Sequence, residues 1–168
     1  AEVKSQADMY KRAMDANPTL GPDAWVRYRR IDQLSLEIAK HNELYEQTRA
    51  FSQFVETFED RYTKKIKELA LQPPADRIAI AELERILQEW ERTKLYELRR
   101  LDVKLLGSAL KALNILSDEW GSWIYEPREK NISFENKSQE ADFSEAIMII
   151  KAILEEVRMI SDDSEPED

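Results

Sequence analysis

Between Asp23 and Leu71 the chain has neither proline nor glycine, and apolar side chains recur at Tyr28, Ile31, Leu34, Ile38, Tyr45, Phe51, Val55, Phe58, Tyr62, Ile66 and Leu69. All steps but that from Tyr45 to Phe51 are three, four or seven, which keeps such positions on one side of a 3.6-residue turn, so the pattern predicts one long amphipathic helix over 23–71. Its start is marked by Gly21-Pro22-Asp23, since proline suits a first helical turn and the carboxylate complements the positive helix end. Its end is marked by Arg61, Lys64, Lys65 and Lys67 in the last turns and then by Pro73-Pro74.

A second stretch predicts a helix over 75–123, with a seam at Leu83, Leu87, Trp90, Lys94, Leu98, Leu101, Leu105, Ala109, Ala112, Leu116, Trp120 and Trp123. Its mean interval of about 3.64 residues is that of an unstrained helix and implies little supercoiling. Two helices of about 45–50 residues joined by a proline turn make an antiparallel hairpin, each arm on the order of 70 Å long. Arms of that length need a partner along them. The second arm also carries a second apolar row, Leu95, Leu106, Leu110 and Leu113, which a two-helix seam would leave wet.

Two shorter helices complete the expectation of an all-α fold in one elongated domain, 1–160. Val3, Ala7, Tyr10 and Met14 mark a short helix over 1–17 that stops at Asn17-Pro18. The stretch 141–160 is apolar on two faces, Phe143, Ile147, Ile150, Leu154 and Val157 on one and Ala146, Ile149, Ile153 and Ile160 on the other. A helix of that kind belongs between other helices, either over its own hairpin or against another subunit. The polar segment 124–140, with Pro127, reads as a loop, and 161–168 as an acidic disordered tail. No strand-forming run stands out.

Charge changes this picture little. The net charge is −9, but the tail SDDSEPED supplies five of the nine excess negatives and residues 1–72 balance to zero. The body is therefore only mildly acidic, and an anionic partner is not excluded from it. Candidate nucleic-acid contacts are Arg27, Arg29 and Arg30 beside Trp25 and Tyr28, and Lys64, Lys65 and Lys67 near the hairpin turn. A third basic run, Arg92, Lys94, Arg99, Arg100 and Lys104, lies midway along the second arm. The plainer account of all three is solvated helix surface, because acids such as Glu56, Asp60, Glu97 and Asp102 sit beside them.

Catalytic chemistry finds little support. There is no cysteine, a single histidine, His41, and no GxGxxG or GxxxxGK[ST] phosphate loop. His41, one turn after Glu37 and next to Asn42, reads as a polar interruption near a helical seam of the kind that fixes register. No Glu-x-x-His pair is present for a di-metal bundle, so neither metal nor cofactor is expected. The sequons at Asn131 and Asn136 read as chance matches, because no secretory leader or membrane span is evident and the chain is expected to be intracellular and cytoplasmic.

The reading that follows is a non-catalytic assembly or adaptor protein that forms a homo-oligomer or docks to a larger complex. Its candidate interface is Trp120, Trp123, Leu106, Leu110, Leu113, Ile147, Ile150 and Leu154. A second reading starts from the overall plan of two long antiparallel helices, a proline turn, a loop, a further helix and an acidic tail. Over about residues 23–120 this plan resembles the oligomerising core of phage small terminase subunits. The likeness is architectural and carries no diagnostic motif, and the N-terminal helix-turn-helix of many such proteins is not seen. It implies a nucleic-acid-associated recognition subunit in viral DNA packaging, working in the host cytoplasm.

Overall fold

The computed structural model describes residues 28–126, 128–129 and 131–163. The expected helix over 1–17, the helix start at Pro22, the candidate contact Arg27 and tail residues 164–168 lie outside them. Within the described residues the order is α1 (Ile31–Glu68), α2 (Ala75–Arg92), α3 (Leu95–Asp118), β1 (Trp123–Glu126), β2 (Asn131–Phe134) and α4 (Lys137–Asp163). The fold is all-α in character, a long helical hairpin with a small β-hairpin added at its base.

The first arm, α1, runs for 38 residues, shorter than the expected 23–71: residues 28–30 are not helical, with Arg30 extended ahead of Ile31, and the helix ends at Glu68. Its buried positions are Leu34, Glu37, His41, Leu44, Thr48, Phe51, Val55 and Phe58, with Ser52 and Phe54 beside them. Those first eight alternate steps of three and four without a break, the spacing of a heptad seam rather than of the looser stripe of apolar residues alone. Three polar side chains occupy seam positions. Thr48 returns its hydroxyl to the Leu44 carbonyl at 2.8 Å, which removes the cost of burying it.

The second arm is not one helix over 75–123. It divides at Thr93–Lys94, where Lys94 adopts a left-handed conformation (φ 53°, ψ 31°) between α2 and α3. The Thr93 hydroxyl bonds back to the Glu89 carbonyl at 2.9 Å and its amide closes the last turn on the same oxygen. Lys94 was the charged member of an otherwise apolar seam, and the break falls there. The arm ends at Asp118, five residues before the expected limit, and Trp123 opens a strand.

Helix α3 is the central element. Nine of its 24 residues are buried, and it packs against α1 on one side and α4 on the other. Contacts at separated levels show both neighbours to be antiparallel to it: Gly107 beside Tyr45 but Arg100 on Glu56 toward α1, and Glu119 beside Asn136, just ahead of α4, but Lys111 on Glu145. The row Leu106, Leu110 and Leu113 is buried within this chain, and a third helical layer packs on the neighbouring seam Leu101, Leu105, Ala109, Ala112 and Leu116 together with Leu113. Phe143, Ala146, Ile150 and Ile153 of α4 supply the cover. Near the proline turn, which includes a cis Pro73–Pro74 peptide, the molecule thins to α1 and α2 around Phe51, Phe54, Val55, Phe58, Leu83 and Trp90.

The segment expected to be a loop contains an antiparallel hairpin pairing Trp123 with Phe134, Ile124 with Ser133, Tyr125 with Ile132 and Glu126 with Asn131. Alternation puts Trp123, Tyr125, Ile132 and Phe134 on the inner face, against the base of the helices. Phe134 meets Phe143 with ring centroids 5.3 Å apart. Asn136 then accepts the Ser138 amide at 3.1 Å, which starts α4 at Lys137 rather than at 141. Glu140 takes the Phe134 amide and the Lys137 ammonium, each at 2.9 Å, and these bonds hold its carboxyl below the usual range. The backbone of α4 stays helical to Asp163, past the expected limit at 160.

Candidate interaction site

His41 and Glu37 form a buried polar cluster in the seam of α1. His41 is wholly enclosed and Glu37 nearly so. Nδ1 of His41 lies 3.0 Å from the Glu37 carbonyl oxygen, which can only accept, and 3.4 Å from Glu37 Oε1. The Tyr28 hydroxyl donates to the same carboxylate, and burial followed by that negative charge pushes the phenol up to about 12. Lys40 Nζ stands 3.8 Å from Glu37 Oε2 at the solvent edge. The imidazole is enclosed in a helix seam, and the polar contacts of the cluster run along α1 and back to Tyr28. Among the described residues no group of three His, Asp or Glu side chains could hold a metal ion.

The candidate nucleic-acid contacts separate in space. Arg29 and Arg30 are exposed ahead of α1, and Arg30 is held by Asp32 through two bonds of 2.9 and 2.7 Å. Lys64 and Lys65 share Glu68 at 3.9 and 3.8 Å, while Lys67 is exposed. Lys64 and Lys65 border an open groove of about 490 Å³ on the outer face of α1, with Phe54, Phe58 and Tyr62 as its floor and Arg61 and Glu68 completing the rim. Arg61 lies over the Phe54 ring at 5.4 Å. Phe54 and Phe58 are buried in stacked and tilted contacts with other rings, so the groove offers them as a floor rather than as free stacking platforms. In the third basic run, Arg92 pairs with Glu89, Arg99 with Asp102 and Arg100 with Glu56.

The candidate protein-contact residues fall into two groups. Leu106, Leu110, Leu113 and Ile150 face the interior of their own chain. Trp120 and Trp123 are half-buried against the base, edge to face at 5.8 Å, and the Trp123 indole N–H donates to the Leu116 carbonyl at 3.0 Å. Ile147 is half-buried along the α3–α4 contact, and only Leu154 stays largely exposed.

Exposure points instead to the back of α4, where Met148, Ile149 and Met159 stand with 64, 40 and 64% of their surface in solvent. Neither methionine was distinguished by the sequence pattern, because the two apolar faces drawn from spacing captured the isoleucines. The signal was nevertheless present: Met148, Ala152 and Met159 share a third side of the same helix, opposite Phe143 and Ile150. No described helix is long and apolar enough to cross a membrane. No family model matches this chain, and neither a curated protein nor a solved structure matches it.

Proposed function

We propose that the chain is a non-catalytic helical assembly protein that associates with a second copy of itself or docks within a larger complex. The observation that carries this reading is the state of α4 after packing. One face covers α3, yet Met148, Ile149 and Met159 remain between 40 and 64% exposed on the back of the same helix. Long flexible apolar side chains grouped on the outside of a stiff helix are suited to contact, methionine above all. The enclosed His41 supports the non-catalytic part, because its ring is committed to the seam. Absolute molar mass in solution across a concentration series tests the reading. A mass rising above the 19.8 kDa of one chain, and reduced by Met148→Glu, supports it; a mass of one chain throughout, with no partner protected at α4, overturns it.

A second reading, contact with nucleic acid in the manner implied by the small terminase likeness, draws on the groove at Arg61, Lys64 and Lys65. Retardation of duplex DNA that weakens steeply with salt and is lost in a Lys64→Glu, Lys65→Glu variant supports it. No retardation at low salt overturns it.

A further inference from the structure

The back of α4 has a pattern of charge as well as an apolar strip. Met148, Ala152, Glu155 and Met159 follow one another at steps of four, three and four, the spacing of a coiled-coil seam. Lys151 and Arg158 flank that seam on one side, and Ile149 and Glu156 on the other. All of these side chains are exposed. Glu155 is already paired with Arg158 at 3.4 Å, and Glu145, one turn earlier on the seam, with Lys111 at 2.8 Å. Lys151 and Glu156 form no ion pair with any described residue, and they stand five positions apart on opposite flanks of the strip.

Building on the self-association reading, we infer that α4 pairs with α4 of a second copy in parallel and in register, with Lys151 of each copy meeting Glu156 of the other. Symmetry makes the choice. When two identical helices pack in parallel about a twofold axis running between them, the left flank of one adjoins the right flank of the other. A residue preceding a seam position then faces the residue five places further along the second helix, and Lys151 finds Glu156 twice. An antiparallel pair brings like flanks together, so Lys151 and Arg158 would crowd their own counterparts and Glu156 its own. The apolar strip is short, and parallel pairing sets Glu155 against its own counterpart, each already paired with its own Arg158, so the contact is a modest one that depends on concentration. Parallel pairing also points both hairpin turns the same way, because α4 and α1 each run antiparallel to α3.

The chain has no cysteine, so Met148→Cys and Met159→Cys each place a single thiol on the strip. In the parallel pair each residue faces its own copy, and both variants cross-link under mild oxidation. In an antiparallel pair centred between them, each thiol would sit about 16 Å from its counterpart along the axis and neither would cross-link. Charge gives an independent arm. Lys151→Glu and Glu156→Lys should each weaken the dimer about tenfold, and the double variant should recover wild-type affinity to within about twofold, because the pairs are restored with their signs exchanged. All four positions are exposed, and circular dichroism of each variant is to check that it folds. A dimer that persists without either cross-link, or a double variant no better than the singles, overturns the parallel pairing and leaves assembly standing. A chain that stays monomeric overturns the self-association reading with it.

Discussion

A Cβ built on Gly107, in the middle of α3, would lie 3.6 Å from Cε2 of Tyr45 on α1. That is ordinary van der Waals contact, so the helices do not need a bare backbone at this crossing. Glycine inside a helix costs about 0.5–1 kcal/mol relative to alanine through the freedom it regains on unfolding. Gly107→Ala should therefore raise stability by about that amount and move the urea midpoint upward with an unchanged slope. A lowered midpoint would show that Tyr45 cannot yield the space.

Lys94 offers the complementary case. A side chain in the left-handed region carries a steric cost of about 1–2 kcal/mol, and here it joins α2 to α3. Lys94→Gly removes that cost while adding freedom to the unfolded chain, for a net gain of about 0.5 kcal/mol. Lys94→Pro should do the opposite, since proline cannot take this conformation. Thermal melts of the two variants on either side of wild type would check the assignment of the break, and a stabilising proline would refute it.

These two residues show what the sequence made legible and what it hid. The long arms, the proline turn and the surplus row on the second arm could be read because periodicity and helix breakers are local. The break at Lys94 could not, because no glycine or proline marks it and its one sign was a charge on an apolar seam. The seam of α1 was misjudged for a related reason: Glu37, His41 and Thr48 occupy core positions, and a pattern drawn from apolar residues skips them. The β-hairpin was obscured by length, since Trp-Ile-Tyr-Glu and Asn-Ile-Ser-Phe give only two inward residues each. Where α4 packs is a matter of tertiary placement that no spacing determines. Its outer methionines became visible once Phe143, Ala146, Ile150 and Ile153 were seen to be spent on α3.

The base and the turn end of the hairpin should open at different free energies. Helix α2 buries only Leu83 and Trp90, whereas α3 buries nine residues between two neighbours. Amides of α2 should therefore exchange through local opening, ahead of those of α3, whose protection should approach the global stability. Trp90→Ala removes the ring that meets Phe58 at 4.7 Å and Tyr96 at 6.0 Å, and should cost about 3–5 kcal/mol if the whole chain unfolds as one. Our expectation is that it speeds exchange in α2 with far less effect on α3. Leu113→Ala, in the centre of the base, should instead lower protection everywhere by about 2–5 kcal/mol. Uniform exchange in the Trp90 variant would contradict this division.

The Tyr28–Glu37 contact predicts how the fold responds to alkali. Burial first, and then the Glu37 carboxylate that accepts its proton, push the Tyr28 phenol from 10.0 up to about 12. Below pH 10 the phenol is protonated whether or not the chain is folded, and its contribution to stability is intact. Between 10 and 12 the unfolded chain gives up this proton while the folded chain keeps it, so the unfolded state binds fewer protons and stability falls as pH rises. The loss is complete once the folded phenol titrates near 12. Absorbance of tyrosinate followed through this window should show late ionisation from Tyr28 and also from Tyr96, whose phenol burial and then the Glu59 charge push up, and Tyr28→Phe should remove one tyrosine's share of that late step and flatten the alkaline decline in melting temperature. If the phenylalanine variant kept the whole late step and the decline, the late ionisation would belong to other tyrosines and the proton shared between Tyr28 and Glu37 would have no part in holding the start of α1.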